Sequence, residues 1–231
     1  MAYDFDKIAI AYDRFNHLST LGIDRLWRRR TVSRMVDAKH PLQYLDVATG
    51  TADLAIDILH KAHPESQLTG IDLSEEMMKI GWQKICADKN IPEADKRIVL
   101  KRGDAECLEY PNDSFDRVTV AFGVRNFLHL QQGLNEMYRV LKPCGRLAVL
   151  ELSYPDNKFL LWCYKIYAFK LLPWVGEHLS HDRAAYEYLP QSILRFPKPE
   201  SFVPMLQLAG FQKVTHKSFT FGVCRLYVAE K

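Results

Sequence analysis

Three regimes of apolar spacing divide the chain. Through residue 40, Leu21, Leu26, Trp27 and Met35 form an apolar stripe beside a run of arginines, which predicts a helical segment over 1–40 ended by Pro41. From Leu42 to Ser153, short apolar runs alternate with helically spaced ones. Strands are expected over Tyr44–Ala48, Gln67–Ile71, Arg97–Leu100, Phe115–Ala121 and Arg146–Leu152. Helical spacing runs over Asp53–Ala62 through Leu54, Ile58 and Leu59, and again through Leu130, Leu134, Met137, Tyr138 and Leu141. Ser74 can cap a further helix, and Glu75 and Glu76 suit the positive end of its dipole. Pro111-Asn112-Asp113-Ser114 makes a turn before the fourth strand, and Pro143-Cys144-Gly145 breaks a helix before the fifth. Strands alternating with helices imply a mainly parallel sheet covered on both faces.

The rhythm changes after Tyr154. Phe159–Leu172 is aromatic and apolar, interrupted by Lys165 and Lys170, and is expected mostly as a buried core helix. Turn-like and polar residues follow up to Pro199. A helix over Glu200–Ala209, stopped by Gly210, precedes two closing strands over Phe211–Phe219 and Gly222–Ala229. The fold class is therefore α/β, with a seven-stranded, mainly parallel sheet and helices on both faces. One domain over 1–231 accounts for the length, with the helical segment 1–40 at its start and 154–199 as an insertion.

Composition adds limits. Hydrophobic residues are 48% and charged residues 26%, the balance of a soluble globular protein. A net charge of +3 does not itself imply nucleic-acid binding. Arg25, Arg28, Arg29, Arg30 and Arg34 crowd one stretch, which suits an anionic membrane surface, a nucleic acid or a solvated helix face. Five scattered cysteines without a CxxC pair point to a reducing compartment and away from disulfides or a zinc ribbon. No signal-peptide core and no uncharged apolar run of roughly 18 residues is present. A cytoplasmic protein is expected.

The chemistry concentrates at strand ends. Leu45-Asp46-Val47-Ala48-Thr49-Gly50-Thr51-Ala52-Asp53 is a strand, a turn of small residues and a helix start. Gly50 and its neighbours let a ligand approach the backbone at the carboxyl edge of the sheet. Asp72, ending the second strand, lies at the spacing of an acid that accepts ribose hydroxyls. Gly103-Asp104-Ala105 ends the third, where an acid and the next N–H suit an adenine ring. Together these predict a nucleoside cofactor. There is no GxGxxG and no GxxxxGK[ST], and Asp53 places negative charge where a pyrophosphate would sit. A cofactor carrying a cationic sulfonium and amine, facing Asp46, fits better.

These residues resemble a known family, the quinone-biosynthesis C-methyltransferases that act on demethylmenaquinol and, in some organisms, on a ubiquinol precursor. The resemblance runs from about Tyr12 to Lys231. It rests on Tyr12-Asp13-Arg14-Phe15-Asn16, Leu21-Gly22-Ile23-Asp24-Arg25-Leu26-Trp27-Arg28, Phe122-Gly123-Val124-Arg125-Asn126 and Met137-Tyr138-Arg139-Val140-Leu141-Lys142-Pro143. Late in the chain it rests on Asp182-Arg183, Tyr186, Tyr188-Leu189-Pro190, Ser192-Ile193 and Phe196-Pro197. It implies a class I, Rossmann-like methyltransferase, with Thr51, Asp72, Asp104 and Ala105 contacting S-adenosylmethionine. It implies C-methylation of demethylmenaquinol to menaquinol, an isoprenoid naphthoquinol as substrate, and 154–199 as a substrate cap. The chain departs from the family pattern at Ala52, Ala121, Cys144 and His181.

Methyl transfer to a quinol carbon needs the neighbouring hydroxyl ionised. A phenol-like pKa near 10 makes that cost about 4 kcal/mol at neutral pH. Arg125 is the first candidate for stabilising the phenolate, with a structural ion pair as the alternative, and Tyr188 and Asp182 are candidates for positioning the quinol or taking its proton. No metal is expected, and His178 and His181 are read as surface histidines. The aromatic segment also suits an isoprenoid tail or the inner membrane face. Two other readings stay open: methylation of RNA or protein, and a non-catalytic domain that binds S-adenosylmethionine to regulate. Ubiquinol precursors as substrates and a homo-oligomer are likewise open.

Overall fold

In the first strand, β1 (Gln43–Val47), Leu45 and Val47 point into one apolar cluster while Tyr44 points into another across the sheet. The computed structural model describes residues 19–171 and 183–231. The other strands are β2 (Gln67–Asp72), β3 (Ile98–Arg102), β4 (Phe115–Ala121), β5 (Leu141–Leu152), β6 (Gln212–Phe219) and β7 (Cys224–Glu230). They form one sheet of order β3-β2-β1-β4-β5-β7-β6. β1 to β5 are parallel; β7 runs antiparallel between β5 and β6. The expected α/β sheet of seven strands is thus present.

The helices are α1 (Asp24–Met35), α2 (Asp53–Leu59), α3 (Glu75–Ala87), α4 (Ala94–Arg97), α5 (Leu130–Val140), α6 (Lys158–Ile166), α7 (Arg183–Arg195) and α8 (Pro199–Leu208). Leu134, Met137 and Val140 of α5 pack with Phe202 and Leu206 of α8 on the sheet face of Leu45 and Val118. On the other face, α1, α2, α3 and α7 cover Tyr44, Leu68, Leu150 and Leu226. Ser74 caps α3 as expected, its Oγ accepting from the Met77 N–H at 3.1 Å.

Five expectations need correction. α1 ends at Met35 because Val36 turns extended, so Pro41 is not its terminator. Its buried face takes Trp27 and Met35, but Leu21 and Leu26 are exposed and Asp24, Arg28 and Thr31 are inside instead. Pro143-Cys144-Gly145 does not separate α5 from β5. The strand begins at Leu141, and pairing with β4 jumps from Phe115↔Leu141 to Arg117↔Arg146, absorbing those residues as an irregularity. α7 occupies a stretch that polar residues and Pro190 mark as irregular; packing of Leu189 and Ile193 overrides that signal. Finally, α6 buries none of its residues, and in the π-helical turn Tyr167–Leu171 that continues it only Ala168 is buried. The aromatic segment is not a core helix. All five cysteines are free.

Candidate active site

Strand order reverses direction at β1, whose neighbours are β2 and β4, and a crevice opens beyond the carboxyl ends there. The loop leaving β1 holds three residues with left-handed backbone, Ala48, Gly50 and Ala52 (φ 52°, 54° and 63°), of which only Gly50 adopts it without steric cost. Small side chains leave the loop backbone open to a ligand.

Asp46 lies under this loop, fully buried. It pairs with Thr119 in the β1–β4 register, and the Thr119 hydroxyl donates to its Oδ1 at 2.6 Å. Thr49 donates to Oδ2 at 2.8 Å. On the β2 side the register partner is Gly70, where a Cβ would fall 2.6 Å from Leu100 Cδ2 and 3.1 Å from Thr49 Oγ1. Glycine is what lets Thr49 settle over Asp46. Burial pushes the Asp46 carboxyl up to about 6, the two hydroxyls opposing and the Asp72 charge adding to the rise.

Asp72 ends β2 half-buried. Its Oδ2 accepts from the Gly50 N–H at 2.8 Å and its Oδ1 from the Ser74 N–H at 2.9 Å. It therefore fastens the β1 loop to the β2 exit. Asp104 is exposed and accepts from the Glu106 N–H at 2.8 Å, while Ala105 is buried beside it. A cavity of about 80 Å³ lies there, lined by Ile71, Gly103, Asp104, Cys107 and Tyr110 among others.

A second cavity, about 50 Å³, is lined by Asp24, Arg28, Asp46, Gly50, Thr51 and Phe122 among others. Arg28 is buried against three carboxylates: Asp24 at 2.6 Å, Asp57 at 3.0 Å and Asp53 at 3.1 Å. Burial pulls its pKa down, but the carboxylates outweigh this and hold it above its ordinary value. Lys84 of α3 bonds Asp53 and reaches Thr51 Oγ1 at 3.2 Å. The Asp53 charge is therefore matched by Arg28 and Lys84. It does not by itself repel a pyrophosphate, as the sequence suggested; the unmatched acid facing the loop is Asp46.

The third cavity, about 170 Å³, is almost wholly apolar, with Ile23, Trp27, Tyr164, Tyr167, Leu189 and Ile193 among its walls. Trp27 is fixed by donating from Nε1 to Thr220 Oγ1 at 3.0 Å, and Tyr167 by donating to the Ser19 carbonyl at 2.7 Å. Burial raises the pKa of both Tyr164 and Tyr167, and the Arg125 charge opposes the rise at Tyr164. Trp27 meets Phe122 edge to face, ring centroids 6.4 Å apart. Since Phe122 lines the second cavity, these two rings partition polar from apolar space.

Arg125 follows β4 as expected, and its partners are those of an ion pair. Its Nη1 pairs with Glu151 Oε1 at 2.7 Å and also bonds the Phe122 carbonyl, and its Nε reaches Ser192 Oγ at 3.3 Å. Glu151 is 0% exposed and also accepts from the N–H groups of Arg125 and Leu152. These contacts make a buried ion pair, and the guanidinium charge is still felt at Tyr164 on the wall of the apolar cavity. The Tyr188 hydroxyl donates to Asn126 Oδ1 at 2.8 Å, so α7 is fastened twice to the β4 exit. Asp182, His178 and His181 lie outside the described residues. Among the described residues no cluster of His, Cys, Asp and Glu could hold a metal.

Asp24, Trp27 and Arg28 stand out in the sequence only as parts of a stripe, a run or a motif, and their place in the site, like that of Glu151, was missed. Two signals were available: the Asp24–Arg28 spacing of four on one helix, and a lone acid, Glu151, within an apolar strand.

This sheet order, with Asp46 one residue inside the end of β1 and Asp72 ending β2, is that of the S-adenosylmethionine-dependent class I methyltransferase fold. A SAM-dependent methyltransferase from Thermotoga maritima superposes with a TM-score of 0.65 at 17% identity, covering 98% of both chains. The chain belongs to the ubiE/COQ5 methyltransferase family, whose model matches residues 2–231. It is 44% identical to the demethylmenaquinone methyltransferase of Bacteroides fragilis over 227 residues, 98% of this chain and 90% of that one. It is 40% identical to the ubiquinone/menaquinone biosynthesis C-methyltransferase UbiE of Geobacter sulfurreducens, covering 98% and 86% respectively.

Proposed function

We propose that this protein methylates a ring carbon of demethylmenaquinol, using S-adenosylmethionine, to give menaquinol. The observation that carries the reading is the Trp27–Phe122 partition, with a carboxylate-lined cavity on one side and an apolar cavity on the other. Names of the relatives supply the substrate.

The residues present fit the methyl donor. Asp46 supplies negative charge beneath the loop for a cationic group. Asp72 has about four lone-pair sites, enough to fasten the loop and accept from ribose hydroxyls together. Asp104 and Ala105 stand where an adenine edge would lie, and Gly50 and Thr51 present backbone to the ligand. When bound, the donor supplies a methyl group on a sulfonium, already activated for transfer.

On the substrate side, Tyr164, Tyr167, Leu189 and Ile193 enclose the quinol and exclude water. Exclusion of water raises the effect of every nearby charge on ionisation of the quinol hydroxyl. Tyr188 positions the β4 exit through Asn126. Arg125 is a positioning residue, holding α7 and the β4 exit together; Asp182 retains the proposed role in proton removal. Residues 154–199 serve as the cap of a single methyltransferase domain. Nucleic acid is not a partner in this reading, although of the arginine run only Arg28 is buried, among carboxylates, and Arg25, Arg29, Arg30 and Arg34 are exposed. No described helix is long and apolar enough to cross a membrane. The protein works in the cytoplasm, at the inner membrane face where its lipid-soluble substrate resides.

The test is turnover of labelled S-adenosylmethionine with naphthoquinols, benzoquinols and RNA offered in parallel. Label is expected in the naphthoquinol. Label in RNA alone, or binding of the donor without transfer, would replace this reading.

A further inference from the structure

The outer face of α6 remains unexplained by the cavity it helps to form. Tyr164, Tyr167 and Ala168 face the apolar cavity. Phe159, Trp162 and Ile166, spaced three and four apart, fall on another side of the helix, and Phe169 follows three residues on. Phe159 is 68% and Trp162 60% exposed, and their rings stack at 6.2 Å. An apolar stripe of this size on a surface marks an interaction site.

Charge identifies the occupant. Lys158, Lys165 and Lys170 are all exposed, and no acidic residue occurs from Lys158 to Leu171. Aromatic side chains interleaved with lysines, without acids, fit an interface of acyl chains and anionic headgroups. A second copy fits poorly, because a two-fold contact would set lysines against lysines. The cavity opens toward the same kind of surface: Leu21, one of its lining residues, is 75% exposed, and Phe221, next to the lining Thr220, is 81% exposed.

We propose that α6 and its π-helical continuation dock on a bilayer containing anionic lipid, with Phe159 and Trp162 inserted and the three lysines at the headgroups. The cavity behind α6 then receives a lipid-soluble substrate from the bilayer. This last point rests on the quinol reading above; the docking itself does not.

Flotation of the full chain with vesicles tests it. Protein should rise with phosphatidylcholine–phosphatidylglycerol vesicles and on the order of 100-fold less with phosphatidylcholine alone. Combined Phe159→Ser and Trp162→Ser should abolish flotation. Lys158→Gln, Lys165→Gln and Lys170→Gln should each weaken it by roughly fivefold. All variants should keep S-adenosylmethionine binding by calorimetry and turnover of a short-tailed, water-soluble quinol, which shows that they fold. No flotation of the wild type, equal flotation on both vesicles, or flotation that survives the serine pair would each overturn the proposal. Flotation without quinol turnover would instead refute the proposed reaction and leave the docking intact.

Discussion

Trp27 stands edge-on to Phe122 at 6.4 Å and donates a hydrogen bond to Thr220, so one indole both closes the apolar cavity and backs the polar one. The indole is 2% exposed. Trp27→Phe keeps a ring at the partition and loses one hydrogen bond, so a cost of about 1 kcal/mol and near-normal turnover are expected. Trp27→Ala removes the wall and should cost roughly 3–5 kcal/mol and most of the turnover. Denaturant midpoints and steady-state kinetics compare the two. Equal losses in both variants would mean that the ring is not acting as a partition.

The buried pair Arg125–Glu151 makes a contrast between single and double substitution. Arg125→Ala leaves a buried carboxylate without its partner and should cost about 3–5 kcal/mol. Replacing both residues by methionine removes the unpaired charge but leaves the Arg125 and Leu152 N–H groups without their acceptor, so only part of the stability should return. Turnover should recover with it, to within about tenfold of wild type. A double variant that folds, binds S-adenosylmethionine and does not turn over would put the guanidinium back into the chemistry.

Asp46 gives a pH signature. Its folded pKa of about 6 lies above the ordinary 3.8, so folding favours the protonated form. Its contribution to stability without cofactor is therefore full below pH 3.8 and declines as pH rises to 6, by an amount on the order of 3 kcal/mol. A cation bound beside it favours the ionised form. Binding of S-adenosylmethionine should then release a proton near pH 5 and tighten as pH approaches 6. Calorimetry in buffers of different ionisation enthalpy measures that proton, and Asp46→Asn should abolish it. Proton uptake instead of release would contradict the placement of Asp46.

Asp72 accepts from two backbone N–H groups of different loops. Asparagine can accept from only one of them and presents an N–H to the other. Asp72→Asn should weaken S-adenosylmethionine binding about 10- to 100-fold, the worth of hydrogen bonds to a charged group. Equilibrium dialysis tests this; unchanged affinity would remove Asp72 from the binding site.

The strand ends were legible in the sequence because their signal is local. A run such as Tyr44–Ala48 followed by Thr49-Gly50, or an acid closing Gln67–Ile71, is written in neighbouring residues, and both turned up at the carboxyl edge of the sheet. The partners of buried charges were not legible. Arg125 and Glu151 are 26 residues apart, and Arg28 meets Asp57 across 29, so only folding brings them together. Apolar content also misled at α6, where Phe159 and Trp162 look like core residues by type and lie outside it by position. The same blindness hid α7, which is held by tertiary packing against β5 and β7 despite Pro190.

Methyl transfer to carbon is tested most directly by giving the purified protein reduced demethylmenaquinone and S-adenosylmethionine labelled with carbon-13 at the methyl group. Carbon NMR of the extracted quinone should show the label as a methyl on a carbon of the quinone ring, formed one for one with S-adenosylhomocysteine. A methoxy signal, or no label in the quinone while the donor is bound, would contradict the assignment of this chain as a quinol C-methyltransferase.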